Sequence, residues 1–282
     1  MSDVPLTTVP YGRLDADMVA RWAALAPEDD GPVWMVNLMS YRERAAYADG
    51  RETDLTGREA DDRYAPLEVL ADIGAEIVLV AEVEDQLLGP EPRWDRVAVV
   101  RYPSRRAFAE MATRADYRER HVHKEAGMEA TIITCAVPIG SPADAMDPDA
   151  FVDWGEVPHP PTDEDGPVEV LHLIRFHPGR ADDEMVRYQD DAALVAVPHG
   201  VRVAGWFGIE GTVVGDGRGW DQVRFNTFPS REAFMAVVFD PQRLEAQRAH
   251  REVAIADTYT LVLRPVIDRL GASVAEARAD GG

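Results

Sequence analysis

The sequence predicts an α+β fold made of two tandem ferredoxin-like βαββαβ plaits. Two internal echoes and the order of the apolar periods predict it. Trp94-Asp95-Arg96-Val97, running into Tyr102-Pro103-Ser104-Arg105 and Phe108, returns as Trp220-Asp221-Gln222-Val223, Phe228-Pro229-Ser230-Arg231 and Phe234. Eight of the sixteen positions in 94–109 are identical in 220–235. Upstream, Gly31-Pro32-Val33 and Val36-Asn37-Leu38 match Gly166-Pro167-Val168 and Leu171-His172-Leu173. A duplicated unit of roughly 110 residues implies two similar domains about a pseudo-twofold. Positions where the copies differ in polarity are then the first candidates for function.

The elements follow in order. Residues 1–13 read as an irregular arm. Asp15 caps a short helix to residue 25, with Val19 and Trp22 on its apolar side, and Pro27 and Gly31-Pro32 stop it. The arm and helix occupy 1–30. The first unit, 31–138, opens with a strand over 33–39. A helical stretch over 41–73 follows, interrupted at Asp49-Gly50 and Thr56-Gly57, with Tyr64, Leu67, Leu70 and Ile73 keeping a helical period. Strands over 75–84 and 94–102, a helix from Pro103-Ser104 to 126, and a strand over 131–137 complete it. The order strand–helix–strand–strand–helix–strand is the split βαβ plait. Residues 139–165, rich in Pro, Asp and Gly, read as a linker. The second unit, 166–266, repeats the order: strand 168–176, helix 182–197, strands 201–214 and 219–228, helix 231–254, strand 258–264. Residues 267–282 carry a final amphipathic segment and a fraying tail.

The chain has 282 residues, enough for two domains, and 46% of them are hydrophobic, enough for real cores. Its net charge of −22 repels phosphate backbones and anionic lipid, so neither nucleic acid nor a membrane is an expected partner. The single cysteine, Cys135, rules out an intramolecular disulfide and a cysteine-based zinc site. No basic start followed by an apolar run opens the chain, and the longest apolar runs have strand length. A cytoplasmic protein is the expectation.

Val36-Asn37-Leu38 in the opening strand, Tyr102-Pro103-Ser104 and Phe228-Pro229-Ser230 after the third strands, and the helix tail from Tyr117 through His123, Glu125 and Met128 resemble the dimeric α/β-barrel superfamily. More narrowly, they resemble an uncharacterised family of such domains. The resemblance implies two plaits packed sheet to sheet, helices outside, with a pocket between the sheets. Most members reach this by homodimerising. Here the two halves of one chain would do so, as a monomeric pseudo-dimer, with a further homodimer left open. A plait covers only one sheet face with helices, so its bare face needs a partner.

Strand alternation then sorts the candidates. If Val223 and Phe225 meet the helices, Arg224 and Asn226 enter the inter-sheet pocket. If Leu171–Leu173 and Val36–Leu38 meet the helices, His172 and Asn37 enter it too, with Met35 and Met39. Trp206 lines the cavity or packs under a helix. The expected chamber is polar on one side and apolar on the other, as small-molecule sites are. His172 and Asn37 also have a plain reading as hydrogen-bonded strand residues, and Arg224 could snorkel at a sheet edge.

Other features carry less chemistry. The helix tails align as Arg120-His121-Val122-His123-Lys124-Glu125 with Gln247-Arg248-Ala249-His250-Arg251-Glu252 if one residue is inserted, making His123 and His250 equivalent. Their spacing suits histidines at helix C-termini better than a metal clamp, so no metal is expected. Asp216-Gly217 marks a hairpin, not a phosphate loop, and no Gly-x-Ser-x-Gly, His-Glu-x-x-His or dinucleotide fingerprint occurs.

The leading expectation is a small-molecule enzyme with no bound cofactor, of the isomerase, lyase, cyclase or oxygenase kinds that the resemblance implies. His172 would move a proton, and Arg224, with Asn226 or Asn37, would hold the oxyanion of a carbonyl- or carboxylate-bearing metabolite. Met35, Met39 and Trp206 would bind substrate. One alternative is a haem enzyme, dehydratase or peroxidase-like, since the superfamily includes aldoxime dehydratases and chlorite dismutase-like proteins. His250 or His172 would then be the proximal ligand. Another is a non-catalytic, metabolite-binding stress protein.

Overall fold

The computed structural model describes residues 7–145, 151–181 and 183–280. The helix start expected at Asp182, the first residues of the arm and the last of the tail lie outside the described residues. The chain runs β1 (Thr7–Val9), β2 (Gly12–Leu14), α1 (Ala16–Ala23), β3 (Val33–Tyr41), α2 (Gly57–Tyr64), α3 (Leu67–Asp72), β4 (Glu76–Leu88), β5 (Arg96–Tyr102), α4 (Arg105–Met111), α5 (Ala115–Gly127) and β6 (Met128–Pro138). It continues with β7 (Val168–Phe176), α6 (Glu184–Ala196), β8 (Arg202–Gly215), β9 (Gln222–Phe228), α7 (Arg231–Phe239), α8 (Pro241–Ala246), α9 (Glu252–Ala254), β10 (Ile255–Asp268) and α10 (Leu270–Asp280). No helix among the described residues is long and apolar enough to cross a membrane.

Eight strands close into an antiparallel barrel in the order β8-β6-β3-β5-β4-β10-β7-β9, with β9 pairing back to β8. Each half contributes its strands in the order fourth, first, third, second. Two seams join the halves by hydrogen bonds: β4 with β10 and β6 with β8. Strands β4 and β10 have 13 and 14 residues, more than expected, and pair with each other along one seam, while β8 has the expected length of 14. The arm is not irregular. Its β1–β2 hairpin continues the sheet from β8, with Leu14 opposite Val214. The linker also packs, its Trp154 Nε1 donating to the Gly200 carbonyl at 2.7 Å.

The repeated motifs are structural. The Asp95 N–H donates to the Met39 carbonyl at 2.8 Å, and its carboxylate accepts from the Tyr41 N–H at 2.7 Å. Asp221 does the same with Ile174 and Phe176, at 2.8 and 2.7 Å. Ser104 and Ser230 cap α4 and α7, each accepting at 3.0 Å from the N–H three residues on. Asp30 and Asp165 each accept two further N–H groups from those same helix starts.

The barrel interior overturns the expected inter-sheet chamber. Val36, Leu38, Val97, Val99, Leu171, Leu173, Val223 and Phe225 all point inward and form one solid core with Phe207, Leu261 and Leu263. Trp94 and Trp220 close one end against Tyr259, with ring centroids 5.5 and 5.6 Å away. At the other end α10 seats Leu270 and Val274, and Ser273 accepts from Trp34 Nε1 at 3.0 Å. The lumen of an eight-stranded barrel is just wide enough for side chains to fill. Burying each Leu, Val or Phe there is worth ~1.5–3 kcal/mol. The uniformly apolar faces therefore turn inward, and His172, Asn37, Arg224 and Asn226 turn outward beneath the helices.

Glu169 shares the inward face with Leu171 and Leu173. It is fully buried, and neither carboxyl oxygen has a hydrogen-bond partner among the described residues. Burial, and then the charge of Asp268, pushes it up from 4.5 to about 8. Folding must therefore add a proton to this group between those values, and stability falls as pH rises through that window. Glu169→Leu should abolish that slope. Thermal unfolding should show the variant gaining little near pH ~4.5 and a few kcal/mol near pH ~8.

Candidate functional site

Each half carries a cavity between the outer face of its strands and its helices. In the second half a cavity of about 160 Å³ lies under α6, α7 and α8, and His172, Trp206, Arg224 and Asn226 all line it. These four sequence-predicted residues come together. The other three, Asn37, Met35 and Met39, line a separate cavity of about 530 Å³ in the first half. The seven do not share one chamber.

Register explains the grouping in the second half. Trp206 lies opposite Arg224, Arg224 opposite His172, and His172 opposite Thr260, so the four form one row across β8, β9, β7 and β10. His172 Nδ1 is 3.1 Å from Thr260 Oγ1. Arg224 is buried, with its guanidinium 4.1 Å from the Trp206 ring, and its Nε donates to Gln222 Oε1 at 3.0 Å. Arg251 is equally buried and has no hydrogen-bond partner among the described residues. Arg243 adds a third guanidinium to the lining, and no carboxylate appears among the described lining residues. Burial, reinforced by Arg251, brings Arg224 down to about 9. Burial also lowers Arg251. His172 is held neutral, well below the usual imidazole range, by burial and then by the charges of Arg251, Arg224 and Arg243. Two unpaired buried cations cost several kcal/mol unless an anion joins them.

The first-half cavity is larger and mostly apolar, walled by Met35, Met39, Leu70, Phe108 and Met111. Asp61, Asp62, Arg96, Arg118 and Glu125 also line it, and a further set of its polar groups is contiguous. Tyr11 Oη lies 3.0 Å from His121 Nε2, His121 packs on Tyr117 and Tyr64, and Lys124 Nζ sits 5.2 Å from the Tyr64 ring centroid. His121 Nδ1 is buried without a partner. Burial, and then the neighbouring Lys124, lowers His121 to about 4. Lys124 is itself buried and lowered by burial, opposed only by Asp61. Asn37 donates to the Met35 and Ala98 carbonyls at 3.0 and 3.4 Å and so braces the wall.

Sequence reasoning passed over Lys124 and Arg251. The Gly127 carbonyl accepts from the Arg42 N–H, and the Ala254 carbonyl accepts from the His177 N–H, both at 2.9 Å. That makes Lys124 and Arg251 equivalent, each four residues before its final strand. The one-residue insertion that aligns them is a π-helical turn, Gln247–Arg251, a form frequent at functional sites. The aligned helix tails carried this signal, but only the histidines were weighed.

Neither histidine expected to hold haem fits that role. His250 does not line the cavity, and its Nδ1 is 2.8 Å from Glu184 Oε2. His172 does line it, but 160 Å³ falls short of the ~300–1,000 Å³ of drug-sized ligand pockets, let alone a macrocycle. Cys135 is buried and its thiol is pushed up by burial and by Glu210, consistent with an inert thiol. No group of three or more potential metal ligands occurs among the described residues.

No family model and no curated protein matches the sequence. Among solved structures, an anthrone oxidase-like protein aligns with 84% of this chain and 92% of its own, at 12% identity and a TM-score of 0.51. The chain has the dimeric α/β-barrel fold. A chlorite dismutase variant from Candidatus Nitrospira defluvii is similar over 86% of this chain and 95% of its own, at 10% identity and a TM-score of 0.49. A protein of unknown function from Rhodopseudomonas palustris is 32% identical over 47% of this chain and 100% of its own, with a TM-score of 0.41. In this dimeric α/β barrel the row from Trp206 to Thr260 lies on the outer wall.

Arg251→Met should raise stability at low ionic strength, by ~1–4 kcal/mol, because it removes a buried unpaired charge while keeping the packing volume. Chemical denaturation of the variant beside the parent protein measures it.

Proposed function

We propose that this chain is a duplicated ferredoxin-like unit and a small-molecule enzyme, with its reaction in the second-half cavity. The reaction is a metal-free proton transfer on a small metabolite bearing a carboxylate beside a carbonyl. One observation carries the reading: two buried guanidinium groups, Arg224 and Arg251, face a cavity with no lining carboxylate among the described residues. Guanidinium heads match carboxylates in shape and charge, and an anion here relieves the cost of burying them. A volume of 160 Å³ suits a compact oxo acid.

In this reading each group has a task. Arg251 and Arg224 hold the carboxylate, with Arg243 at the margin. His172, beside Arg224 in the same row, takes the proton from the carbon next to the carbonyl. Charge then moves from that C–H bond to the carbonyl oxygen, where Arg224 and Asn226 stabilise the enolate. Thr260 fixes the imidazole through Nδ1. The low basicity of His172 in the free protein is not an obstacle. A bound anion offsets the arginine charges that depress it, so binding raises the basicity that the step needs. The anthrone oxidase-like neighbour shares the fold alone at 12% identity and contributes no substrate to this reading.

The test is hydrogen–deuterium exchange. A panel of short 2-oxo and 3-oxo acids, followed by proton NMR in deuterated buffer, should show loss of the carbon-bound proton faster than without protein. His172→Ala should reduce exchange by ~100-fold or more while leaving anion affinity, and Arg224→Met should weaken affinity. The acid limb of kcat/KM should lie below pH ~6.5, the ordinary histidine value, because the free imidazole stays neutral below it. A panel showing only background exchange defeats the reading.

A further inference from the structure

Lys124 is the sole lysine among the 282 residues, and every other member of the 29 Lys and Arg is arginine. It is buried in the wall of the larger cavity, 6% exposed, on the last turn of α5. Its amine makes no hydrogen bond and no salt bridge among the described residues. Asp61, the acid whose charge acts on it, is already engaged: it accepts from Tyr41 Oη at 2.7 Å and lies 3.5 Å from Arg96. A chain that uses arginine everywhere else, including at the equivalent position 251, has an amine at this one place. Arginine stays charged at any ordinary pH and is a poor nucleophile, whereas a desolvated lysine can present a free amine.

The surroundings suit a carbonyl compound better than an anion. The carboxylates of Asp61, Asp62 and Glu125 line it beside the guanidinium groups of Arg96 and Arg118, so no uncompensated cluster of cations awaits an anion, and most of the remaining wall is hydrocarbon or aromatic. His121 lies one turn before Lys124 on the same helix face, against the rings of Tyr64 and Tyr117 and within 3.0 Å of the Tyr11 hydroxyl, and Tyr64 Oη donates to Tyr117 Oη at 3.4 Å. These groups can donate and accept protons without carrying charge. The burial that lowers the basicity of Lys124 favours the same chemistry.

We propose that the first-half cavity is a second site, separate from the anion pocket, in which Lys124 forms a Schiff base with an apolar aldehyde or ketone. The amine nitrogen attacks the carbonyl carbon, a C=N bond forms, and the carbonyl oxygen leaves as water. Both amine protons end in that water, and no oxidant or reductant takes part. His121 and the tyrosine hydroxyls relay the protons.

Reductive trapping tests it on the intact protein. Incubation with trans-cinnamaldehyde and sodium cyanoborohydride should add one probe molecule less one oxygen atom, and peptide mapping should place it on Lys124. The N-terminal amine, the other primary amine of the polypeptide, is separated by the same mapping. Lys124→Arg should lose the adduct. Ala98→Phe, which fills the cavity and leaves the lysine in place, should suppress it. Circular dichroism confirms that each variant is folded. Labelling confined to the N-terminal amine, or none where free lysine reacts, overturns the proposal. Undiminished labelling of a folded Ala98→Phe protein overturns its placement in the cavity. The reading of the anion pocket stands or falls separately, since neither variant touches its residues.

Discussion

The closed barrel governs everything else in this molecule. Eight strands leave a lumen that side chains fill completely, so the centre of the structure has no room for a ligand. Space for a ligand lies on the outer face instead, where short helices bridge a curved sheet without filling the volume beneath them. The result is two cavities, one on each side of a solid wall. Inward residues of both halves, Leu171 and Val223 of one and Val36 and Leu38 of the other, pack together in the core between them.

Local signals were readable in the sequence and global ones were not. Trp-Asp and Pro-Ser-Arg recur because Asp95 and Asp221 bind the same backbone groups, and because Ser104 and Ser230 cap the same helix. Such interactions span few residues or one strand pair, so they appear as words in the chain. Alternation also grouped His172, Arg224 and Asn226 on one face. It could not say which face was inside, since β3 is apolar on both: Val36 and Leu38 point inward while Met35 and Met39 point outward. Which face turns inward is decided by barrel closure, a property of eight strands together. Asn37 was therefore grouped with His172 although a barrel wall lies between their cavities. The aligned helix tails already set Lys124 beside Arg251 across the one-residue π-helical insertion, but the burial that singles out these two cations is a tertiary property that the alignment does not carry.

The same position thus holds a different cation in each half. In the second, Arg251 joins Arg224 and Arg243 in a cluster that neutral protein groups do not balance. In the first, Lys124 stands beside tyrosines and an imidazole in a cavity that carboxylates also line. Each cation ends the second helix just before the final strand, where the chain must turn under the sheet and the side chain is drawn beneath it. The fold supplies a buried cationic side chain at this corner, and the neighbouring residues decide its surroundings.

The two seams have a consequence for how such a molecule can change. Val213 and Val214, at the far end of β8, help wall the first-half cavity, while Pro142 and Ala143, just beyond β6, reach the second. Each compartment is finished by residues borrowed from across the seam. In a symmetric pair of identical chains, any replacement would appear in both compartments at once. A single polypeptide lifts that symmetry: one compartment can drift toward guanidinium groups and the other toward phenols and an amine, while the shared wall stays constant.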